Sequence, residues 1–212
     1  MYPYRIRLRG PWEAEPLDPP GEVRRVDMPA RLGECGLGDC RRVLLRRRFG
    51  RPRRIDQHER LWLIGERLAG CGEFRVNGEW VGACSGGSFA FPVTPLIGDR
   101  NQLTVDLIAG GPDDGLAGDV ALEIRCSAYL SDLRVEPVDG GRARISGEVC
   151  GEAECSLDVY VLAEGKVAAY RKCAAGQRFE VTSDESVSDS AQIRVELISG
   201  AVLWCAAEIP GR

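Results

Sequence analysis

Adjacent carboxylates and aromatic rings are the side chains through which this 212-residue chain could bind or cleave a polar ligand. Asp113 and Asp114 lie side by side in a glycine-rich loop, which gives their carboxylates reach into a cleft. Retaining cleavage of a glycosidic bond needs two carboxylates about 5 Å apart. Most other acidic residues occupy alternating strand positions or turns, where a solvated role is the default. We take Asp113 and Asp114 as candidate ligand-binding residues and predict no catalytic residues.

Four tryptophans could stack an aromatic ring on the apolar face of a sugar. Trp12, Trp62 and Trp204 lie within or beside strand-like patterns, which favours core packing. Trp80 directly follows a predicted hairpin turn and can be half exposed there. An outward position on a sheet face, without any ligand, explains Trp80 equally well. Trp80 is the third candidate ligand-binding residue.

Metal and cofactor chemistry have little support in the sequence. His58 is the only imidazole, and no Ser or Cys motif beside it makes a nucleophile–base pair. The nine cysteines are odd in number and scattered, so we expect reduced thiols, mostly buried. Cys35 and Cys40, like Cys150 and Cys155, are more widely spaced than a CxxC zinc site. Neither GxGxxG nor GxxxxGK[ST] occurs, and we predict no metal and no cofactor.

Charge and hydropathy limit the classes of partner. Eight arginines between Arg41 and Ile55 could form a basic patch for a polyanion, but the net charge of −4 argues against nucleic acid. We expect these arginines to face outward and meet acids such as Asp56, Glu59 and Glu66. No apolar run approaches the roughly 20 residues that span a bilayer, and the N-terminus lacks the apolar core of a signal peptide. We expect a cytoplasmic protein without membrane contact; the alternative is a removed leader.

The elements that must position these residues are strands around one hairpin. Asn77-Gly78 joins two apolar runs, and both residues tolerate the positive φ of a type I′ turn. Leu61–Ile64 predicts a strand buried on both faces, while Asn101–Ile108 and Val120–Arg125 alternate cleanly as strands. Residues 110–118 form a loop between these last two. The first part of the chain is therefore predicted to be an antiparallel β domain.

From Tyr129 onward the pattern changes to short strands at roughly ten-residue spacing, separated by glycine turns. The predicted strands are Asp132–Glu136, Ala143–Val149, Ser156–Leu162, Val167–Arg171, Arg178–Thr182, Gln192–Ile198 and Val202–Ala206. Seven strands in about 85 residues is the size of an immunoglobulin-like module. No amphipathic helix is evident, so the chain is predicted to be all-β, with domains at 1–127 and 128–212 joined without a flexible linker.

Several motifs of the first domain occur in a recognisable order. They are Leu8-Arg9-Gly10-Pro11-Trp12, Val76-Asn77-Gly78, Ser85-Gly86-Gly87, Asn101-Gln102-Leu103-Thr104-Val105 and Gly115-Leu116-Ala117-Gly118. This order resembles the N-terminal sugar-binding domain of glycoside hydrolase family 2, which contains β-galactosidases, β-glucuronidases and β-mannosidases. The segment Ala128–Val135 looks like the first strand of that family's immunoglobulin-like second domain. The resemblance implies a galactose-binding-domain-like jelly roll followed by an immunoglobulin-like sandwich.

The family's catalytic (β/α)₈ barrel, which carries its two catalytic carboxylates, has no counterpart in these residues. The resemblance therefore implies a non-catalytic protein that binds carbohydrate. Two other roles remain open. The chain could be an accessory subunit of a separately encoded glycosidase, or a structural and protein-interaction module with no glycan ligand. The expected partners are a carbohydrate, a catalytic glycosidase chain or a second copy of the chain.

Overall fold

A computed structural model of the chain describes residues 4–188 and 190–209. Apart from one short 3₁₀ turn at Thr94–Leu96, the regular elements are β-strands, which confirms the predicted all-β class. Within these described residues, no helix has the length and apolar character needed to cross a bilayer. The chain divides into two compact units: residues 4–56 with 60–125, and residues 57–59 with 126–188 and 190–209.

The first unit is built on one curled antiparallel sheet of ten strands. They are β1 (Tyr4–Arg7), β2 (Trp12–Asp18), β3 (Arg24–Val26), β4 (Ala30–Arg31), β5 (Arg42–Gly50), β6 (Glu59–Val76), β7 (Glu79–Pro92), β8 (Arg100–Ile108), β9 (Gly115–Leu116) and β10 (Val120–Cys126). The main path runs β1-β10-β6-β8-β5-β2-β3, with β7 and β9 also paired to β6. The 18-residue strand β6 thus holds most of the sheet together.

The core of the first unit lies on the inward faces of these strands. Along β5 and β8, the buried residues Val43, Leu45, Leu103 and Val105 alternate with outward-facing neighbours, which are polar except for Leu44. This alternation follows from the two-residue period of a strand. Trp12 is fully buried in the same core, and its indole nitrogen donates a hydrogen bond to the Leu8 carbonyl at 2.6 Å. The core-packing prediction for Trp12 is therefore confirmed.

An aromatic cluster fixes the hairpin formed by β6 and β7. The ring centroid of Phe74 lies 4.4 Å from that of Phe89 and 5.3 Å from that of Phe91. Gly82 lies opposite Phe74 and directly beneath the Phe91 ring, where a Cβ would overlap the ring. Three packed aromatic rings of this kind bury a large apolar area, and such pairs add favourable edge and face contacts. The hairpin is consequently a rigid part of the unit.

The second unit is a sandwich of two antiparallel sheets. Its strands are β11 (Ala128–Val138), β12 (Arg142–Gly151), β13 (Leu157–Ala163), β14 (Lys166–Cys173), β15 (Gln177–Thr182), β16 (Ile193–Ser199) and β17 (Val202–Ile209). The sheets have the orders β11-β12-β15 and β14-β13-β16-β17, and their apolar faces share one core. All seven predicted strands are present, which confirms the predicted sandwich. Trp204 is buried in this core, as expected.

Two expectations about side chains differ from the structure. Only Cys173 among the nine cysteines is buried, whereas Cys71 and Cys155 are exposed, because they occupy outward or turn positions. Arg42, Arg46 and Arg48 of β5 face outward as expected, whereas Arg47 lies on the side of the buried Leu103 and donates to the Pro11 carbonyl at 3.1 Å. The acidic partners of the outward arginines are not the residues that follow β5 in sequence. Arg42 pairs with Asp106, and Arg46 pairs with Glu15. The neighbouring strands β8 and β2 supply these acids.

Candidate functional site

Trp80 is the most exposed aromatic side chain on the first unit, with 59% of its surface accessible. It follows the turn Asn77-Gly78, whose φ angles of 54° and 89° confirm the predicted type I′ geometry. The two-residue turn pairs Trp80 with Arg75 across the hairpin. Cross-strand partners point to the same side of a sheet, so both side chains face outward.

A row of side chains continues from Trp80 across the outer face of the sheet. Arg75 pairs with Thr104 on β8, Thr104 pairs with Arg46 on β5, and Arg46 pairs with Glu13 on β2. In the next row toward the sheet end, Gln102 pairs with Arg48. We call the surface formed by Trp80, Arg75, Gln102, Thr104, Arg46 and Arg48 the Trp80 face. Three strand spacings separate Trp80 from Arg46, or about 14 Å.

Some polar side chains of the Trp80 face have acidic partners nearby, and others have none. The Arg46 guanidinium contacts the Glu15 carboxylate at 2.6 Å, and Arg75 approaches Glu73 at 3.9 Å. Over the described part of the chain, Arg48, Thr104 and Gln102 have no side-chain hydrogen bond or ion pair. An exposed indole ring on the same sheet face as free guanidinium, amide and hydroxyl groups can stack on one ring of a saccharide while those groups bond hydroxyls further along it.

An amide network between the exposed Asn77 and the buried Asn101 holds the hairpin turn in place. The Asn77 side-chain nitrogen donates to the Leu96 carbonyl at 2.8 Å and to the Asn101 side-chain oxygen at 3.0 Å. The Asn77 side-chain oxygen accepts a hydrogen bond from the Gln102 amide at 2.8 Å. Asn101 is itself buried and makes two further hydrogen bonds with the backbone of Gly98. Sequence reasoning assigned Asn77 to turn geometry alone and missed this network.

The structure places Asp113 and Asp114 in the turn before β9. The Asp113 carboxylate is 86% exposed and accepts a hydrogen bond from Arg31 at 3.0 Å. The Asp114 carboxylate accepts from the Gly110 amide at 2.6 Å, and its backbone carbonyl accepts from Leu32 at 2.7 Å. The Asp113 carboxylate is therefore paired with a residue of β4, and the Asp114 carboxylate closes the turn itself.

Trp80 is not brought together with this acidic pair. On strand β6, Ala69 pairs with Gly115 and Arg75 pairs with Trp80. Ala69 and Arg75 are six residues apart, which corresponds to about 20 Å of extended strand. The three predicted residues thus belong to two separate places on the first unit, and only Trp80 lies among other free polar groups.

The buried carboxylate of Glu123 serves the fold. It is the β10 partner of Arg5 on β1, and its side chain is 3% exposed. Burial alone would raise the pKa of Glu123, but hydrogen bonds from Arg125 and Arg5 and their positive charges outweigh it and lower the pKa. An ionised carboxylate held by two guanidinium groups is a structural anchor and a poor proton donor.

His58 has a packing role within the second unit. Its imidazole ring stacks on Trp204 with a centroid distance of 5.1 Å.

Two shallow cavities lie on the second unit. One, of about 440 Å³, runs along the outer face of β11, β12 and β15, where arginines and carboxylates alternate. Its lining includes the ion pair of Arg178 with Glu148 at 3.4 Å and Glu180, whose carboxylate contacts the neighbouring Arg144 at 3.6 Å. The other, of about 720 Å³, is lined by the loop that follows β15. Both are polar surfaces with no exposed aromatic ring among their lining residues.

Comparison with solved structures gives similar folds at low sequence identity. An FMN-binding β-glucuronidase from Facaelibacterium prausnitzii L2-6 aligns with 98% of this chain at 16% identity and a TM-score of 0.67. A β-glucuronidase from Ruminococcus gnavus aligns with 98% at 14% identity and a TM-score of 0.67. A candidate β-galactosidase from Bacteroides fragilis aligns with 99% at 14% identity and a TM-score of 0.64.

These alignments cover 39%, 43% and 41% of the three neighbouring proteins, so the chain spans about two fifths of their lengths. No family model and no curated protein matches the sequence. The similarity is consistent with the all-β fold that the sequence motifs implied. At identities below 20% it establishes the fold alone.

Proposed function

We propose that this chain binds carbohydrate without cleaving it, through the Trp80 face of the first unit. The observation that carries the proposal is the exposed Trp80 ring, which lies in register with the outward side chains of Arg75 and Thr104. A ring held on a rigid hairpin loses little freedom on binding, because the aromatic cluster beneath it is already ordered. A flat sheet face buries less of a ligand than a cleft does. We therefore expect affinities in the millimolar to submillimolar range, roughly −4 to −6 kcal/mol.

Two further features belong to the proposal. The chain is taken as two domains, 1–127 and 128–212, that together form an accessory region, and its own residues carry no glycosidase activity. Three acidic residues support the absence of glycosidase activity, because Glu123, Asp106 and Glu15 are each held by arginines. Carboxylates committed to ion pairs are poorly suited to act as a tuned acid and nucleophile pair.

Binding is tested by calorimetric titration of the chain with neutral and acidic oligosaccharides, followed by Trp80→Ala. We expect saturable binding to at least one saccharide and a loss of about tenfold or more in affinity on removal of the ring, consistent with about 1.5 kcal/mol for aromatic stacking. Tyr129→Ala removes an equally exposed aromatic ring from the second unit and serves as the control. Absence of binding to every saccharide, or equal affinity of Trp80→Ala and wild type, contradicts the proposal.

Turnover of nitrophenyl galactosides, glucuronides and mannosides by the pure chain tests the non-catalytic part. We expect no release of nitrophenol above the buffer rate. A second role that the sequence resemblance leaves open is that of accessory subunit of a separately encoded glycosidase. Co-purification with a barrel-containing protein supports that role. The result of the co-purification does not depend on the outcome of the sugar titration.

A further inference from the structure

The end of the Trp80 face nearest the hairpin turn carries guanidinium groups that lack acidic partners. Arg48 on β5 and Arg100 on β8 are exposed and form no ion pair with any residue for which the structure gives a position. Arg75, beside Trp80, has only the 3.9 Å contact with Glu73. All three belong to the outward rows of adjacent strands. Arg48 pairs with Gln102 and Arg75 pairs with Thr104. Arg100 lies two residues before Gln102 on β8 and therefore points to the same side.

The acids of the same sheet face are concentrated toward its other end, and most are neutralised there. Asp106 accepts two hydrogen bonds from Arg42, at 2.9 and 2.7 Å, in a bidentate pair. Glu15 is paired with Arg46. Glu13 lies between Arg46 and Arg25 in the strand register. On the outward rows of this face, the guanidinium groups without a close acidic partner therefore lie toward the end that carries Trp80.

We infer that the Trp80 face selects acidic saccharides, that is, pyranose rings that carry a carboxylate or a sulfate group. The inference rests on the proposed carbohydrate binding and specifies its ligand class. A free guanidinium offers a planar fork of N–H donors that matches a carboxylate or sulfate bidentately, and such charge-assisted bonds are about twice as strong as neutral ones. A neutral sugar can stack on the indole ring but has no anionic group for the guanidinium donors, which remain hydrated.

The spacing of the groups favours an oligosaccharide over a single sugar. Arg75 is the immediate cross-strand neighbour of Trp80, about 5 Å away at the Cβ atoms. Arg48 lies three strands and two residues away, at about 16 Å. One ring stacked on Trp80 can place its acidic group on Arg75, while acidic groups of following rings reach Arg48 and Arg100. The row of free groups thus runs across the strands, roughly perpendicular to β6.

The test is calorimetric titration of the 212-residue chain with three tetrasaccharides: chondroitin sulfate, unsulfated chondroitin and the neutral chitin tetrasaccharide. We expect the acidic ligands to bind about tenfold more tightly than the neutral one at 50 mM NaCl, with the difference shrinking at 200 mM. The double variant Arg48→Gln/Arg75→Gln is expected to remove this difference and keep the affinity for the neutral ligand. Comparison of the sulfated and unsulfated ligands identifies whether sulfate or carboxylate is preferred.

Two matched variants make the outcome specific to this surface. Arg134→Gln/Lys172→Gln removes the same charge from exposed positions of the second unit and should leave every affinity unchanged. Glu79→Gln removes the acid next to Trp80 and should raise the affinity for acidic ligands. Equal binding of neutral and acidic ligands, abolished by Trp80→Ala, overturns the acidic selectivity while carbohydrate binding stands. A loss of acidic selectivity in the second-unit variant also overturns it. Failure of all three ligands and of the wider saccharide panel overturns the proposed function itself.

Discussion

The substitution Asn77→Gly separates two reasons for the presence of asparagine in the hairpin turn. Glycine adopts the positive φ of this position at no steric cost, so the turn geometry is preserved. The three hydrogen bonds of the side chain, to Leu96, Asn101 and Gln102, are lost. If backbone conformation were the only role of Asn77, this substitution would be nearly neutral.

We expect Asn77→Gly to lower the free energy of unfolding by about 2–3 kcal/mol. Each hydrogen bond contributes about 1 kcal/mol net, and a buried partner left unsatisfied costs more. Two facts reduce the loss: Asn101 keeps both bonds to Gly98, and the half-buried Gln102 amide can regain a water. The expected decrease is measured by urea denaturation followed by tryptophan fluorescence, since three of the four tryptophans lie in the first unit.

Amide hydrogen exchange gives a local readout of the same substitution. The Gln102 amide, which donates to the Asn77 side chain, should lose protection in Asn77→Gly. In Asn77→Asp it should stay protected, because a carboxylate oxygen still accepts this hydrogen bond. Asn77→Asp nevertheless loses the two hydrogen bonds that the Asn77 side-chain nitrogen donates to Leu96 and Asn101. We therefore expect this variant to be less stable than wild type at neutral pH. A change in unfolding free energy below about 0.5 kcal/mol for Asn77→Gly, with Gln102 protection unaltered, would refute the reasoning.

Two other substitutions test how the first unit is held together. Gly82→Ala forces a Cβ into the Phe91 ring and should cost about 1–3 kcal/mol in urea denaturation, whereas Ala83→Gly, at the exposed neighbour, should cost less than 1 kcal/mol. Glu123→Gln should lower stability by about 1–2 kcal/mol at pH 7. Because the folded-state pKa of Glu123 is lowered, its ionised form contributes stability that is lost as pH falls below about 4.5. The difference in melting temperature between wild type and variant should shrink from pH 7 to pH 3, and a constant difference would contradict the assignment.

The strands that were predictable from sequence are those with clear alternation and glycine turns. All seven strands of the second unit meet this description, as do β8 and β10. Strand β2 is not predictable from the sequence, because Pro16 and the prolines after it are typical of a loop. Pro16 is tolerated because the register of β2 against β5 shifts between Pro16 and Asp18, where the regular ladder of hydrogen bonds is interrupted.

Side-chain partners were the least predictable feature, because they depend on pairing between distant strands. Arg42 meets Asp106, which is 64 residues away, although acids lie much closer in sequence. The link between Asn77 and Asn101 likewise spans 24 residues and joins the hairpin to β8. Local patterns predict which residues face outward. Local patterns do not predict which strand lies beside these residues, and the neighbouring strand determines their ion pairs.

The orientation of Trp80, in contrast, could be worked out from the sequence. A two-residue turn at Asn77-Gly78 pairs Arg75 with Trp80, and the apolar Phe74 and Val76 on either side of Arg75 require Arg75 to face outward. Trp80 must then share the outer face with Arg75. The irregularity that follows, at Val81, was not predictable: it shifts the register so that Gly82 lies opposite Phe74 and makes room for Phe91. The turn therefore determines which face carries the indole ring, and the packing beneath the hairpin determines how rigidly the ring is held there.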